Sequence, residues 1–167
     1  MRKLDNRAIV VGVDGSPGSK AALAFAIEEG LARGVTVEVV TTWLMRPMTA
    51  DVVATTSYDA ERRRARDTQD AAVAEVLDGF DARPTISQVV LHEYSGQTLV
   101  DAARDAALLV VGSGRKNVLT RTLLGSVSEY CVRHSAVPVV VVPDPARGGE
   151  DAVDEDVVAV DTPSASG

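Results

Sequence analysis

The chain of 167 residues is 46% hydrophobic and 25% charged, enough for one core burying about 68–70% of the unfolded surface without metal or cross-links. That composition excludes a disordered chain, a collagen and a disulfide scaffold, and the lone Cys131 has no partner within the chain, which fits a reducing cytoplasm. The formal charge of −7 is uneven: residues 143–167 hold seven acids against Arg147, so the body is close to neutral and gives no electrostatic reason to expect nucleic acid or an anionic membrane as partner.

Short apolar runs alternate with segments of helical period, the pattern of an α/β domain built on a parallel sheet. The first strand is expected over residues 8–13; this run is too short for a signal peptide or a membrane span, and neither is expected. Ser16 is placed to cap a helix with Pro17 in its first turn, with Leu23, Ile27 and Leu31 on one face and Gly34 as its stop. A second strand follows at 35–43, then a long helix over 58–78 with Ala65, Ala72, Val73, Val76, Leu77 and Phe80 facing inward. The third strand is expected at 85–92. The third helix is expected to open on Thr98 and Asp101 in capping-box spacing, and to turn Leu99, Ala102, Ala103 and Ala106 inward. The fourth strand covers 107–112. Ser126 and Glu129 repeat the capping-box spacing ahead of a stripe of Val127, Tyr130, Cys131 and His134, and the fifth strand runs from Val137 to Val142. The first, fourth and fifth strands are continuous apolar runs, as in strands covered on both faces. Residues 1–143 thus form the domain, and 144–167 read as an acidic, disordered tail.

In an open parallel sheet, ligands gather beyond the carboxyl ends of the strands where the winding reverses. Gly12, Val13 and Asp14 close the first strand. Val111, Gly112, Ser113 and Gly114 close the fourth, and a loop then leads to Gly125, Ser126, Val127 and Ser128 at a helix start. Unpaired N–H groups and the positive end of the helix dipole favour an anion there. Arg115, Lys116 and Arg121 add positive charge, although a plain strand-to-helix connection with surface basic residues would read the same way.

Three stretches, IVVGVDGSPGS, ALLVVGSG and LLGSVSEYCVRHSAVPVVVV, carry a resemblance to the universal stress protein family. The resemblance implies an open five-stranded sheet of order 3-2-1-4-5 with helices on both faces, and homodimers joined through the final strand. It also implies, for the family's ATP-binding branch, a glycine, two residues, a second glycine, nine residues, then glycine with serine or threonine. Gly112, Gly125 and Ser126 fall at that spacing; the second glycine is replaced by Arg115, with Gly114 one place earlier. By the same resemblance Asp14 lies near the nucleotide and Thr42 falls where backbone meets adenine. The expected ligand is therefore ATP, with Asp14 acting directly or through Mg²⁺; the alternative is a family member that has lost ATP and acts by protein contacts alone.

Asp14 also suits a simpler role, capping the turn that follows it. Cys131 and His134 are expected in the core because they share an apolar stripe. The arginines at 62, 63, 64 and 66 are expected to be a solvated face. No P-loop, no dinucleotide fingerprint and no metal-ligand spacing is present, and any ATP hydrolysis is expected to be slow because no residue stands out to position water. A cytoplasmic, dimeric sensor or regulator is the resulting expectation.

Overall fold

The computed structural model describes residues 7–44, 58–114 and 124–145. Its elements are β1 (Ile9–Gly12), α1 (Pro17–Arg33), β2 (Val37–Trp43), α2 (Tyr58–Leu77), β3 (Ile86–His92), α3 (Ser95–Ala102), β4 (Leu108–Gly112), α4 (Ser126–His134) and β5 (Val139–Val142). The five strands form one parallel sheet in the order β3-β2-β1-β4-β5, as the resemblance implied. The chain winds outward from β1 through β2 to β3 and resumes at β4 on the other side of β1, so the winding reverses between β1 and β4.

Period-two alternation assigns the strand side chains to two cores. Ile9, Val11, Val37, Val39, Leu108 and Val110 pack with Leu23 and Ile27 of α1 and Ala72 and Val73 of α2. Val10, Val40, Leu109 and Val111 pack with Leu99, Ala103 and Cys131 on the α3 and α4 side. β1 and β4 are covered on both faces, as their apolar runs predicted. β5 is only half-buried, contrary to that expectation, because among the described residues it is an edge strand with β4 as its one neighbour.

The ends of α1 are those read from sequence. Ser16 is extended and its hydroxyl accepts from the Ser19 N–H, Pro17 opens the helix, and Gly34 stops it at φ 66°. α3 departs from expectation. It begins at Ser95, and Thr98 lies inside it, donating its N–H to the Tyr94 carbonyl at 3.1 Å. Thr98 is helical and so has no capping conformation to offer. The close approach of α4 fixes the helix one turn earlier: a Cβ on Gly96 would stand 2.9 Å from the Tyr130 side chain. At α4 the cap is Gly125, with no side-chain bond, and Ser126 is the first helical residue, so Ser126 and Glu129 make no capping box.

Gln69, on the inner face of α2, is fully buried, and its amide donates to the carbonyls of Val39 at 3.0 Å and Val89 at 2.9 Å. It ties the helix to β2 and its neighbour β3, and no apolar periodicity marks it. Cys131 is buried as expected, and burial pushes its thiol up to about 11. His134 is not in the core. It is exposed, stacked on Tyr130 with ring centroids 4.0 Å apart, because α4 turns that end of its stripe to solvent.

Candidate functional site

β1 ends against β2 at the Gly12–Val40 pair, whereas β2 continues to Trp43. The Val13 N–H donates to the Val40 carbonyl at 2.9 Å and the Thr41 hydroxyl to the Val13 carbonyl at 2.7 Å, which closes the β1 end. Backbone groups of alternate residues point to the same neighbouring strand. Thr42 therefore directs its N–H and C=O the same way as Val40, into the space past β1. Its hydroxyl lies 2.6 Å from that of Ser95 at the start of α3.

On the other side of the reversal, Ser113 holds the β4 end together. Its N–H donates to the Val142 carbonyl at 2.8 Å, its carbonyl accepts from the Gly125 N–H at 2.8 Å, and its hydroxyl accepts from the Asp144 N–H at 3.2 Å. These bonds bring the first helical residues of α4 beside Gly114. With the Gly125 N–H committed to Ser113, the amides of Ser126, Val127 and Ser128 remain as the helix-start donors that lack intrahelical acceptors.

The result is a cleft of about 510 Å³ between the ends of β1, β2 and β4 and the starts of α3 and α4. Of the residues singled out in sequence, Gly12, Val13, Asp14, Thr42, Val111, Gly112, Gly114, Gly125, Ser126, Val127 and Ser128 all line it. Arg115, Lys116 and Arg121 lie outside the described residues, as do 45–57 and most of the acidic tail. Sequence reasoning missed Ser16, Ser19, Val40, Ser95, Leu99 and Glu129. Ser95 was hidden by starting α3 a turn late; Glu129, one turn after Gly125, could have been found from the helical period alone.

The glycines serve different ends. A Cβ on Gly112 would stand 2.7 Å from the backbone C and O of Gly18, so this glycine lets α1 approach β4. Gly114 has φ +83° and its Cβ would lie 3.0 Å from the Gly125 Cα, while a Cβ on Gly125 would lie 3.1 Å from the Gly114 Cα. The two loop ends therefore pack backbone against backbone. Asp14 caps its own turn: its Oδ1 accepts from the Ser16 N–H at 2.9 Å and from the Ser16 hydroxyl. Among the described residues, Asp14 and Glu129 are the carboxylates on the cleft wall, and Glu129 pairs with Arg133 at 2.9 Å. Among the described residues, no three His, Cys, Asp or Glu side chains cluster as a metal site, and no helix is long and apolar enough to cross a membrane.

Residues 5–143 match the universal stress protein family. The chain belongs to this family. Universal stress protein Rv2005c of Mycobacterium tuberculosis is 34% identical over 136 residues, which is 80% of this chain and 44% of that protein, so the chain spans less than half of this curated relative. A universal stress protein of Archaeoglobus fulgidus, solved in complex with dAMP, superposes with a TM-score of 0.61 at 25% identity, over 83% of this chain and 98% of that one. Another universal stress protein, solved in complex with cAMP, gives a TM-score of 0.57 at 25% identity, over 84% of this chain and 99% of that one. The family read from the three sequence stretches is therefore correct, and so is its sheet order.

Proposed function

We infer that this universal stress protein binds an adenine nucleotide, ATP, in the cleft at the sheet reversal, and acts as a cytoplasmic, homodimeric sensor or regulator. The observation that carries this reading is the cleft itself: about 510 Å³ walled by glycine backbone on one side and the first turn of α4 on another. Support comes from the universal stress proteins solved with dAMP and cAMP.

In this reading the amides of Ser126, Val127 and Ser128 receive phosphate oxygens, with the dipole of α4 behind them. The base sits against the backbone of Thr42, flanked by Val13 and Val40. Asp14, already held in place by Ser16, faces the sugar and phosphates. Its one carboxylate suits Mg²⁺, because that ion takes its remaining ligands from phosphate and water. Bound there, Mg²⁺ would offset part of the phosphate charge. The half-buried strand Val139–Val142, at the edge of the sheet among the described residues, is the proposed dimer contact. Light scattering after gel filtration tests it, and a monomer at micromolar concentration would count against it.

One observation favours the alternative of an interaction module without ATP. Asp14 and Glu129 both wall the cleft, and no described basic side chain does. Nucleotide extracted from the purified protein and identified by mass spectrometry distinguishes the two, together with calorimetric titration of ATP, AMP and cAMP with and without Mg²⁺. Saturable binding lost in Gly125→Val supports the nucleotide reading; no heat with any nucleotide and no extracted adenine compound defeats it.

A further inference from the structure

The first half of α2 carries a basic groove independent of the nucleotide cleft. Arg62, Arg63 and Arg66 line a hollow of about 280 Å³ together with Asp59 of the same helix and Val90 of β3. Arg64 is paired with Glu61 at 3.2 Å, and Arg66 donates to the Gln69 Oε1 at 3.3 Å. Arg62 and Arg63 have no ion pair among the described residues. A concave site with two uncommitted guanidinium groups suits a run of carboxylates.

The chain holds such a run. Glu150, Asp151, Asp154, Glu155 and Asp156 lie within seven residues, and the body without residues 143–167 is nearly neutral. The direction in which the chain leaves β5 matters here. A Cβ on Gly18 would lie 3.8 Å from the Asp144 Cβ, so Asp144 leans over the first turn of α1, on the face of the sheet that α2 shares. The next step across that face is also in contact: a Cβ on Gly15 would meet the Thr68 side chain of α2 at 2.7 Å. The groove lies near the same end of the sheet, since Tyr58 at the start of α2 meets Trp43 and His92, at the ends of β2 and β3, edge-on. Crossing from β5 to β3 spans four strand spacings, about 19 Å. The six residues from Asp144 to Glu150 reach about 20 Å when extended, and the twelve to Asp156 about 40 Å.

We propose that the acidic segment from Glu150 to Asp156 docks in cis on the groove formed by Arg62, Arg63 and Arg66. The tether keeps this segment at high effective concentration, which lets individually weak exposed ion pairs act together.

The test uses the full chain with a nitroxide attached at Ala159→Cys; Cys131 is fully buried and escapes labelling. Docking predicts loss of amide and side-chain Nε–H signal at Arg62, Arg63 and Arg66, with the exposed face of α4 unaffected. The signal returns when salt is raised to about 0.5 M, where charges are screened within a few ångströms. In Arg62→Glu/Arg63→Glu the signal returns at Arg66, and the fold of this variant is checked by the overlay of its remaining amide spectrum. Broadening that is absent at the arginines or uniform over the surface overturns the proposal. So does broadening seen only when labelled and isotope-enriched copies are separate molecules, which would place one chain's tail on another. If a short DNA duplex shifts the arginine signals while the tail label leaves them untouched, the groove serves nucleic acid and the proposal falls.

Discussion

Replacing Gly112 by alanine separates packing from ligand approach as the reason for that glycine. The new Cβ would stand 2.7 Å from the Gly18 carbonyl carbon and oxygen and 3.0 Å from the Ser19 nitrogen, all backbone atoms of the first turn of α1. No rotamer relieves such a contact, so α1 and β4 must separate. Overpacking of this kind costs about 1–3 kcal/mol, and the conformational entropy lost by glycine returns about 0.5–1 kcal/mol. A net destabilisation of up to about 2.5 kcal/mol follows, equivalent to a fall of up to about 10 °C in Tm for a domain of this size. Gly12→Ala is the control. Its Cβ would meet the Leu99 Cδ1 at 2.8 Å, the far end of a flexible side chain. A rotamer shift there costs about 0.5–1.5 kcal/mol, which the entropy gain largely offsets. Urea unfolding of both variants, analysed with a common m-value, should rank Gly112→Ala clearly below Gly12→Ala. Equal stabilities, or the reverse order, would refute the claim that backbone proximity to α1 dictates Gly112.

Three further perturbations follow from particular contacts. Gln69→Leu removes the buried amide from the Val39 and Val89 carbonyls and should cost about 1–3 kcal/mol in urea unfolding; an unchanged midpoint would show those bonds to be dispensable. Asp14→Ala strips the Ser16 amide and hydroxyl of their acceptor and should lower stability by about 1–2 kcal/mol, whereas Asp14→Asn keeps an acceptor oxygen and should lose less. If both variants unfold together, the turn does not depend on that oxygen. The Cys131 thiol holds its proton to about 11 in the folded chain against an ordinary value of 9.0. The unfolded chain then binds fewer protons between those values, so stability falls as pH rises, by up to about 1.4 kcal/mol per pH unit. Cys131→Ala should unfold with a shallower pH dependence than the parent between pH 9 and 11, and parallel curves would contradict the burial effect.

Much of the site was legible because strand ends and helix starts carry local signals. IVVG running into Asp14, and LLVVG running into Ser113 and Gly114, mark two strand ends at which a doubly wound sheet gathers ligands. The Ser16, Pro17 and Gly34 signals bounded α1 because capping and left-handed backbone depend only on neighbours in sequence. Thr98 and Asp101 misled for the complementary reason. Their spacing satisfies a local rule, but the packing of Gly96 against Tyr130 sets where α3 begins, and that is a contact between segments more than thirty residues apart. Gln69 escaped notice because a buried glutamine is justified by two carbonyls on other strands, which no local pattern encodes.

The alternation of strands and helices, the apolar faces and the glycines at the strand ends are legible from residues a few positions apart. What those glycines are for depends on contacts between distant segments. Only when α1 lies on β4 does Gly112 prove to be a packing necessity, and only when Ser113 binds Gly125 do the two ends of a loop close one wall of the cleft. Backbone proximity between distant segments is a property of the folded arrangement, because hydrogen-bond direction and close packing are fixed only after the sheet has brought those segments together.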